Sequence, residues 1–352
     1  MPFPKEAPTG IRTKELTILL GLAAAVWPAA MRAQKSYIGP WSLGEITQTP
    51  ISYLWRQPKD IASENLFYGR GGQGHAPHGP FTFESEDLDG TNPKFDVRDP
   101  DGVKWKIKLG AEARPETVAS RFIWAVGYHA DEDYFMPVVQ VMGLPAHVHR
   151  GQDMIEAGGV MRDVRLKREE GKKVGIWSWG DNPFVGTREL AGLRVMMAVI
   201  NNWDLKDVNN AIRDYKNGDE NGDTREYEVS DLGASFGTTH RELSHSKSKG
   251  NLESYARSTF IAKEEPESVD FKVPGRPSLL VVFNPREYAD RVGMRWIGDA
   301  IPRSTARWIG DLLAQLSEDQ IRDAFRSAGY EGEELNGFTV EFQKRIAALK
   351  QL

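Results

Sequence analysis

The segment that decides the fold is VKWKIKL, residues 103–109, in which apolar and lysine side chains alternate strictly. A period of two over seven residues predicts a half-buried β-strand with three lysines on one face. Two other extended runs precede it, at 81–85 and 93–97, and the turn DLDGTN (87–92) joins them. The three runs together predict an antiparallel meander.

After this strand the sequence pattern becomes helical and then extended again. Residues 114–128 place apolar side chains three and four positions apart, and residues 134–141 again favour a strand. Strands that flank a single helix predict a small α+β lobe at residues 81–145 with an antiparallel sheet.

The remainder, residues 146–352, is expected to form a second and mostly helical lobe. Hairpins are predicted at 162–180, around EEGKK, and on either side of the turn NGDENGD (217–223). Helices are predicted at 187–202, 302–316, 318–328 and 338–350. The predicted fold class is therefore α+β, in two lobes.

The composition excludes several kinds of site. The 352 residues carry a net charge of -5 with no long basic stretch, so nucleic acid is not an expected partner. The sequence has no cysteine, which excludes disulfides, thiolate metal sites and cysteine nucleophiles.

The N-terminus has the pattern of a targeting segment. Residues 16–30, LTILLGLAAAVWPAA, form an apolar block that is too short for a comfortable membrane span. The block predicts a signal peptide at residues 1–33, export to the periplasm or the outside, and no stable membrane span after cleavage. Residues 34–80 would then be an N-terminal extension. The other interpretation is a buried N-terminal helix.

Two carboxylates and an amide follow the predicted helix at 187–202. The loop NNWDLKDVNN (201–210) contains Asp204 and Asn209, and a strand-like run leads into Asp231. Mg²⁺ prefers oxygen ligands and binds proteins through one or two carboxylates plus substrate phosphates. We therefore expect Asp231 and Asn209 to bind magnesium, and Asp204 to act as a base or to orient an attacking hydroxyl.

The lysine strand supplies a cation for the same site. A strand lysine that pairs with a glutamate of the next helix can anchor nucleotide phosphates. Lys108 or Lys106 with Glu116 would form such a pair. The turn between the first two strands includes Gly90 and Thr91, and its backbone amides would cover the phosphates.

In this order of motifs the chain resembles atypical members of the protein-kinase-like superfamily, nearest to the phosphatidylinositol-kinase and HipA-type branches. The phosphatidylinositol-kinase lysine motif has a glycine, an arginine and an acid at two, six and eight residues after the lysine. Gly110, Arg114 and Glu116 stand at these positions after Lys108. The match favours Lys108 over Lys106 as the phosphate lysine.

The resemblance spans about residues 81–240 and implies a two-lobed kinase-like fold that uses ATP and Mg²⁺. It implies transfer of a phosphoryl group to a hydroxyl acceptor, which could be a lipid, a sugar, a small molecule or a protein. It also implies that Lys206, in the sequence DLK, touches the transferred phosphate. Asp231 lies in DLG, where kinases have their D-x-G metal site.

Two alternatives remain open at this point. The first is an exported, non-catalytic nucleotide-binding or interaction module on a kinase-like scaffold. The Gly-rich run GRGGQG (69–74) has no predicted strand before it and no predicted helix after it, no A-P-E segment is present, and Trp203 stands before Asp204 where kinases have arginine. These departures put a protein substrate in doubt more than ATP binding. The second is an unrelated α+β protein with a structural calcium ion at 217–228, a segment that nearly fits a calcium-loop template.

Overall fold

The lysine strand lies in a closed set of five strands. The structure, a computed structural model, describes residues 51–90, 92–219, 222–238, 248–273 and 285–352, all within the unit Thr49–Leu352. The strands are β1 (Ile51–Tyr53), β2 (Phe81–Asp87), β3 (Lys94–Arg98), β4 (Lys104–Lys108), β5 (Asp133–Met142), β6 (Ile155–Glu156), β7 (Val160–Arg168), β8 (Lys172–Gly175), β9 (Asn210–Asp219), β10 (Gly222–Val229), β11 (Ile261–Glu264), β12 (Ser268–Phe271) and β13 (Ile301–Pro302). The helices of the described residues are α1 (Ala113–Ala125), α2 (Arg188–Val199), α3 (Leu252–Ala256), α4 (Pro285–Gly293), α5 (Arg303–Leu313), α6 (Glu318–Arg326) and α7 (Gly332–Gln351).

The first sheet has the order β4-β3-β2-β5-β7-β6, and β4 also pairs with β7, which closes five strands into a small barrel. Trp105, Ile107 and Leu109 are at most 1% exposed and pack with apolar side chains of the other strands. A small barrel is filled by its own side chains, so the lysines of β4 face the other way. The predicted period-two strand is confirmed.

The meander is antiparallel from β2 to β4, as predicted. The sheet as a whole is not purely antiparallel, because β2 and β5 pair in parallel through Phe81 with Val141 and Thr82 with Met142. This parallel contact joins strands that are distant in sequence, and it is needed to close the barrel.

Helix α1 forms where the apolar spacing predicts it and belongs to the larger of two hydrophobic cores. Val118, Phe122 and Ile123 are fully buried. The ring of Phe122 stacks on Phe342 of α7, with centroids 3.9 Å apart. The helix after the lysine strand is thereby fixed against the C-terminal helices.

A second sheet has the order β1-β10-β9-β8. The antiparallel pairing of β9 with β10 confirms the predicted hairpin, and residues 220 and 221, within the turn predicted at 217–223, lie outside the described residues. The hairpin predicted at 162–180 is wrong. β8 pairs with β9 instead of β7, because β7 is already bonded on both sides within the first sheet.

The three long C-terminal helices α5, α6 and α7 confirm the helical tail, and Ser317 and Gln320 form a capping box at the start of α6. The expectation that residues 146–352 are mostly helical is wrong, because this part contains β6 to β13. The proposed boundary at residue 145 stays a prediction, and β5 and β7, on its two sides, are paired.

The predicted signal peptide at 1–33 and the first part of the predicted extension, residues 34–50, lie outside the described residues. Both stay predictions. No helix in the described ranges combines the length and the hydropathy that a bilayer crossing requires.

Candidate functional site

A cleft of about 650 Å³ brings together most of the residues that the sequence singles out. Those that line it are Gly90, Lys106, Lys108, Glu116, Asn209 and Asp231. Asp204 and Lys206 are not among the lining residues, and Thr91 lies outside the described residues.

Lys108, the last residue of β4, is the cation at the centre of the site. Its side chain is 3% exposed, and its ammonium donates to Glu116 at 2.7 Å, to Glu112 at 3.1 Å and to Asp231. Asp231 is 123 positions further along the chain, so the fold creates this contact. Burial on its own would lower the pKa of Lys108, but Glu116, Asp231 and Glu112 outweigh burial and raise this pKa well above its usual value.

Glu116 also binds a second cation on the neighbouring strand. Arg165 of β7 lies directly opposite Lys108 in the β4–β7 register, and like charges in that relation repel. One carboxylate oxygen of Glu116 accepts from Lys108, and the other accepts from the Arg165 guanidinium at 2.9 Å. The first turn of α1 therefore supplies the anion that lets two strand cations lie side by side.

The hairpin of β9 and β10 brings Asn209 and Asp231 together. Asn210 and Val229 are paired at its open end, and the Ser230 N–H donates to the Asn209 carbonyl at 2.9 Å. Asn209 thus lies immediately before β9, and Asp231 lies just after β10. The hairpin between them accounts for the long sequence gap that separates the two residues.

Asp231 has an unusual backbone and a half-exposed side chain. Its φ is 53°, a conformation that few residues with a side chain adopt and that is concentrated at functional sites. Its side chain is 48% exposed and lines the cleft. Burial of the carboxylate would raise its pKa, but Lys108 outweighs that effect and lowers the pKa of Asp231 well below its usual range.

Asp204 lies beside the cleft and is tied to its neighbours in the loop. Its carbonyl accepts a hydrogen bond from the Asn209 side-chain amide at 2.8 Å, and its carboxylate lies 3.4 Å from the Lys206 ammonium. The loop therefore holds the side chain of Asn209 through the backbone of Asp204.

The turn between β2 and β3 forms one rim of the cleft. Gly90 has a φ of 70°, which suits glycine, and its carbonyl accepts from Arg150. The Lys106 ammonium is 2.8 Å from both Asp87 and Asp96. Burial would raise the pKa of Asp87, but the hydrogen bond from Lys106 outweighs it and the pKa falls to about 2. Lys106 therefore holds the rim of the cleft, while Lys108 makes the contact with Asp231.

Sequence reasoning missed Glu112 and Arg165. Glu112 is four residues after Lys108 and four before Glu116, a spacing that could have indicated a shared helix face. No local signal marks Arg165, because its role depends on the pairing of β7 with β4. The contacts of Lys108 and Glu116 therefore include a carboxylate, Glu112, and a cation, Arg165, that the sequence did not predict.

The oxygen donors of Asp231 and Asn209 are of the kind that fits a magnesium ion. Asp231 offers a carboxylate in the cleft, and Asn209 has committed its amide nitrogen to Asp204, which leaves the amide oxygen for a ligand. Carboxylate and amide oxygens are the hard ligands that magnesium prefers. The carboxylates of Glu112, Glu116 and Asp231 also lie close enough together to hold a cation, and the Lys108 ammonium fills that position.

No protein-family model matches the chain, and no curated protein matches it. Among solved structures, the chain is similar to the Helicobacter pylori proinflammatory kinase CtkA, with a TM-score of 0.40 and 9% sequence identity. The match covers 77% of this chain and 95% of that one. Such a likeness does not show that the two proteins share a family.

Proposed function

We propose that the cleft binds a magnesium-bound nucleoside triphosphate on a kinase-like scaffold, and that the protein transfers a phosphoryl group to a hydroxyl acceptor. The observation that carries the proposal is the contact of Lys108 with both Glu116 and Asp231 in one cleft. In the proposal they act as the cation, its positioning anion and the metal-binding carboxylate, a set that protein kinases use for phosphoryl transfer.

Each residue then has a role that follows from its surroundings. Lys108 donates to phosphate oxygens, and Glu116, held by Arg165, keeps the ammonium in place. Asp231 and Asn209 are the metal ligands, and bound magnesium would supply neutralisation of the charge on the phosphates. The backbone of the turn at Gly90 covers the phosphates. Catalysis by these residues is positioning and charge stabilisation, with no covalent step on the protein.

Asp204 is proposed to orient the acceptor hydroxyl, with Lys206 beside it. Its place outside the cleft lining favours a second candidate function, a nucleotide-binding module that does not turn over. The two functions differ in one measurement, release or transfer of the terminal phosphate. Transfer that is lost in D204N would support the enzyme, and tight binding without any transfer would support the module.

Thermal stabilisation by Mg-ATP tests both candidates. At a hundred times its Kd a ligand stabilises the folded state by about 2.7 kcal/mol. A folded unit of about 300 residues has an unfolding entropy of about 0.6 kcal/mol per kelvin, so Tm should rise by about 4 °C. The rise should vanish in D231N and K108M and on removal of magnesium by a chelator.

The matched control is D181N, which also neutralises an aspartate but lies on the exposed loop before α2 and does not line the cleft. This variant should keep the full shift. An unaltered protein that Mg-ATP does not stabilise, or a D231N variant with the unaltered shift, would overturn the proposal.

A further inference from the structure

Glu112, immediately before the first residue of α1, has contacts that the proposed function leaves unexplained. Its side chain is 11% exposed, and each carboxylate oxygen binds a different lysine. One accepts from Lys108 at 3.1 Å, and the other accepts from Lys249. Glu112 therefore connects the phosphate lysine to a part of the chain that begins beyond the DLG turn.

Lys249 lies in a short segment that is bonded to both loops of the site. The Ser248 carbonyl accepts from the indole N–H of Trp203, the residue before Asp204, at 2.8 Å. The Gly250 N–H donates to the Ser235 carbonyl at 2.9 Å, four residues beyond Asp231. The backbone on either side of Lys249 is therefore fixed relative to both loops.

The DLG turn itself packs on Glu112. A Cβ added at Gly233 would overlap the Cβ and Cγ of Glu112. Glycine at this position is what allows the turn to lie against the glutamate. The side chain of Glu112 is thus confined by the turn on one side and by two ammonium groups at its end.

The three carboxylates around Lys108 use all the hydrogen-bond donors of its ammonium group. A lysine ammonium has three donors, and Glu112, Glu116 and Asp231 accept from this one. A phosphate can bind Lys108 only if one carboxylate releases it. Glu116 is 1% exposed and held by Arg165, whereas Asp231 is half exposed in the cleft. Asp231 is therefore the carboxylate that exchanges, and the other two remain.

We infer that Glu112 is a second positioning residue for Lys108, and that Lys249 holds Glu112 in the orientation this requires. Two carboxylates one helical turn apart, on Glu112 and Glu116, then aim the ammonium at the phosphates when Asp231 turns to the metal. The inference rests on the proposed nucleotide site and adds to it a connection from the segment at 248–250 to the phosphate lysine.

The test is the Kd for Mg-ATP, measured by calorimetry, in E112Q, K249M, the double variant and K249R. Loss of a charge-assisted contact at this position should weaken binding about 10-fold in E112Q and in K249M. Because both act through one contact, the double variant should bind no more than about twofold weaker than the weaker single variant. K249R keeps the charge and should bind within about threefold of the unaltered protein.

A purely structural role would give a different pattern. It would lower Tm without nucleotide, and the two single effects on Kd would multiply in the double variant. If E112Q does not fold, K249M and K249R still test the inference. Unaltered affinity in K249M, or multiplying effects, would overturn the inference while leaving nucleotide binding intact. No Mg-ATP binding by the unaltered protein would instead overturn the proposed function, and this inference with it.

Discussion

Replacement of Arg165 by methionine should destabilise the fold strongly, because it removes the cation from a buried cluster. The Arg165 side chain is 3% exposed, and its guanidinium is 2.9 Å from Glu116 and 3.5 Å from Asp133, each 1% exposed. Methionine fills a similar volume but leaves both carboxylates without this partner. Breaking a buried ion pair in this way costs about 3–5 kcal/mol.

The expected change in melting temperature follows from the size of the folded unit. With an unfolding entropy of about 0.6 kcal/mol per kelvin for about 300 residues, Tm should fall by about 5–8 °C. Differential scanning calorimetry at pH 8 measures the fall directly. Nucleotide affinity should fall as well, since Glu116 would no longer be held in position beside Lys108.

The pH dependence and a second substitution test the cause of the loss. Neither oxygen of Asp133 has a hydrogen-bond partner among the described residues, and burial raises the pKa of this carboxylate to about 7. The folded state therefore keeps a proton on Asp133 that the unfolded chain loses between about pH 4 and pH 7, so this group favours folding less as pH rises through that window. The deficit of R165M should shrink between pH 8 and pH 6, as Asp133 becomes protonated.

D133N in the R165M background should recover part of the lost stability at pH 8, because it removes a buried charge that has lost its Arg165 partner. R165M and the double variant both lack the packing of the arginine side chain. The difference in Tm between them therefore measures the effect of the Asp133 charge. A fall in Tm below about 2 °C for R165M, or no recovery in the double variant, would show that water or other groups neutralise these carboxylates and would refute the reasoning.

Two further substitutions test how the site is built. F122A removes the ring that stacks on Phe342 in the larger core. The loss should cost about 3–5 kcal/mol of stability and lower Tm by about 5–8 °C. A fall in Tm under about 2 °C would mean that α1 is not anchored on α7. G233A should lower Tm by about 2–5 °C, for an overpacking cost of about 1–3 kcal/mol against Glu112. Its control is G293A, at an exposed helix position with open space around the added methyl group. This variant should keep or slightly raise Tm. Equal Tm values for G233A and G293A would contradict the contact of Gly233 with Glu112.

Local sequence patterns were sufficient to predict a strand or helix where one face of that element is buried. The alternation of VKWKIKL identified β4, its buried face and its lysine face, because a strand that is half buried must alternate. The helix after it and the C-terminal helices followed from apolar spacing in the same way. The hairpin before Asp231 followed from its glycine and aspartate turn.

Partners that are distant in sequence could not be predicted from these patterns. β8 looked like the second strand of a hairpin with β7, but β7 is paired with β4 and β5, so β8 pairs with β9. The same pairing of β4 with β7 places Arg165 opposite Lys108 and creates its role. Strand pairing between distant segments carries no signal in either segment alone, which is why Arg165 was missed and Lys108 was not.

The charge cluster itself argues for function rather than stability. Lys108, Glu116, Arg165 and Asp133 are each at most 3% exposed, and Asp231 completes the cluster at the cleft. Well-packed apolar side chains of similar volume usually hold a fold as well as buried ion pairs, or better, because desolvation of the charges offsets most of their attraction. The chain nevertheless directs one end of the cluster, the Lys108–Asp231 contact, into a cleft, and Asp231 itself has the uncommon positive φ. Stability accounts for the pairing of these charges once they are buried, and the proposed ligand in the cleft would account for why they are charges at all.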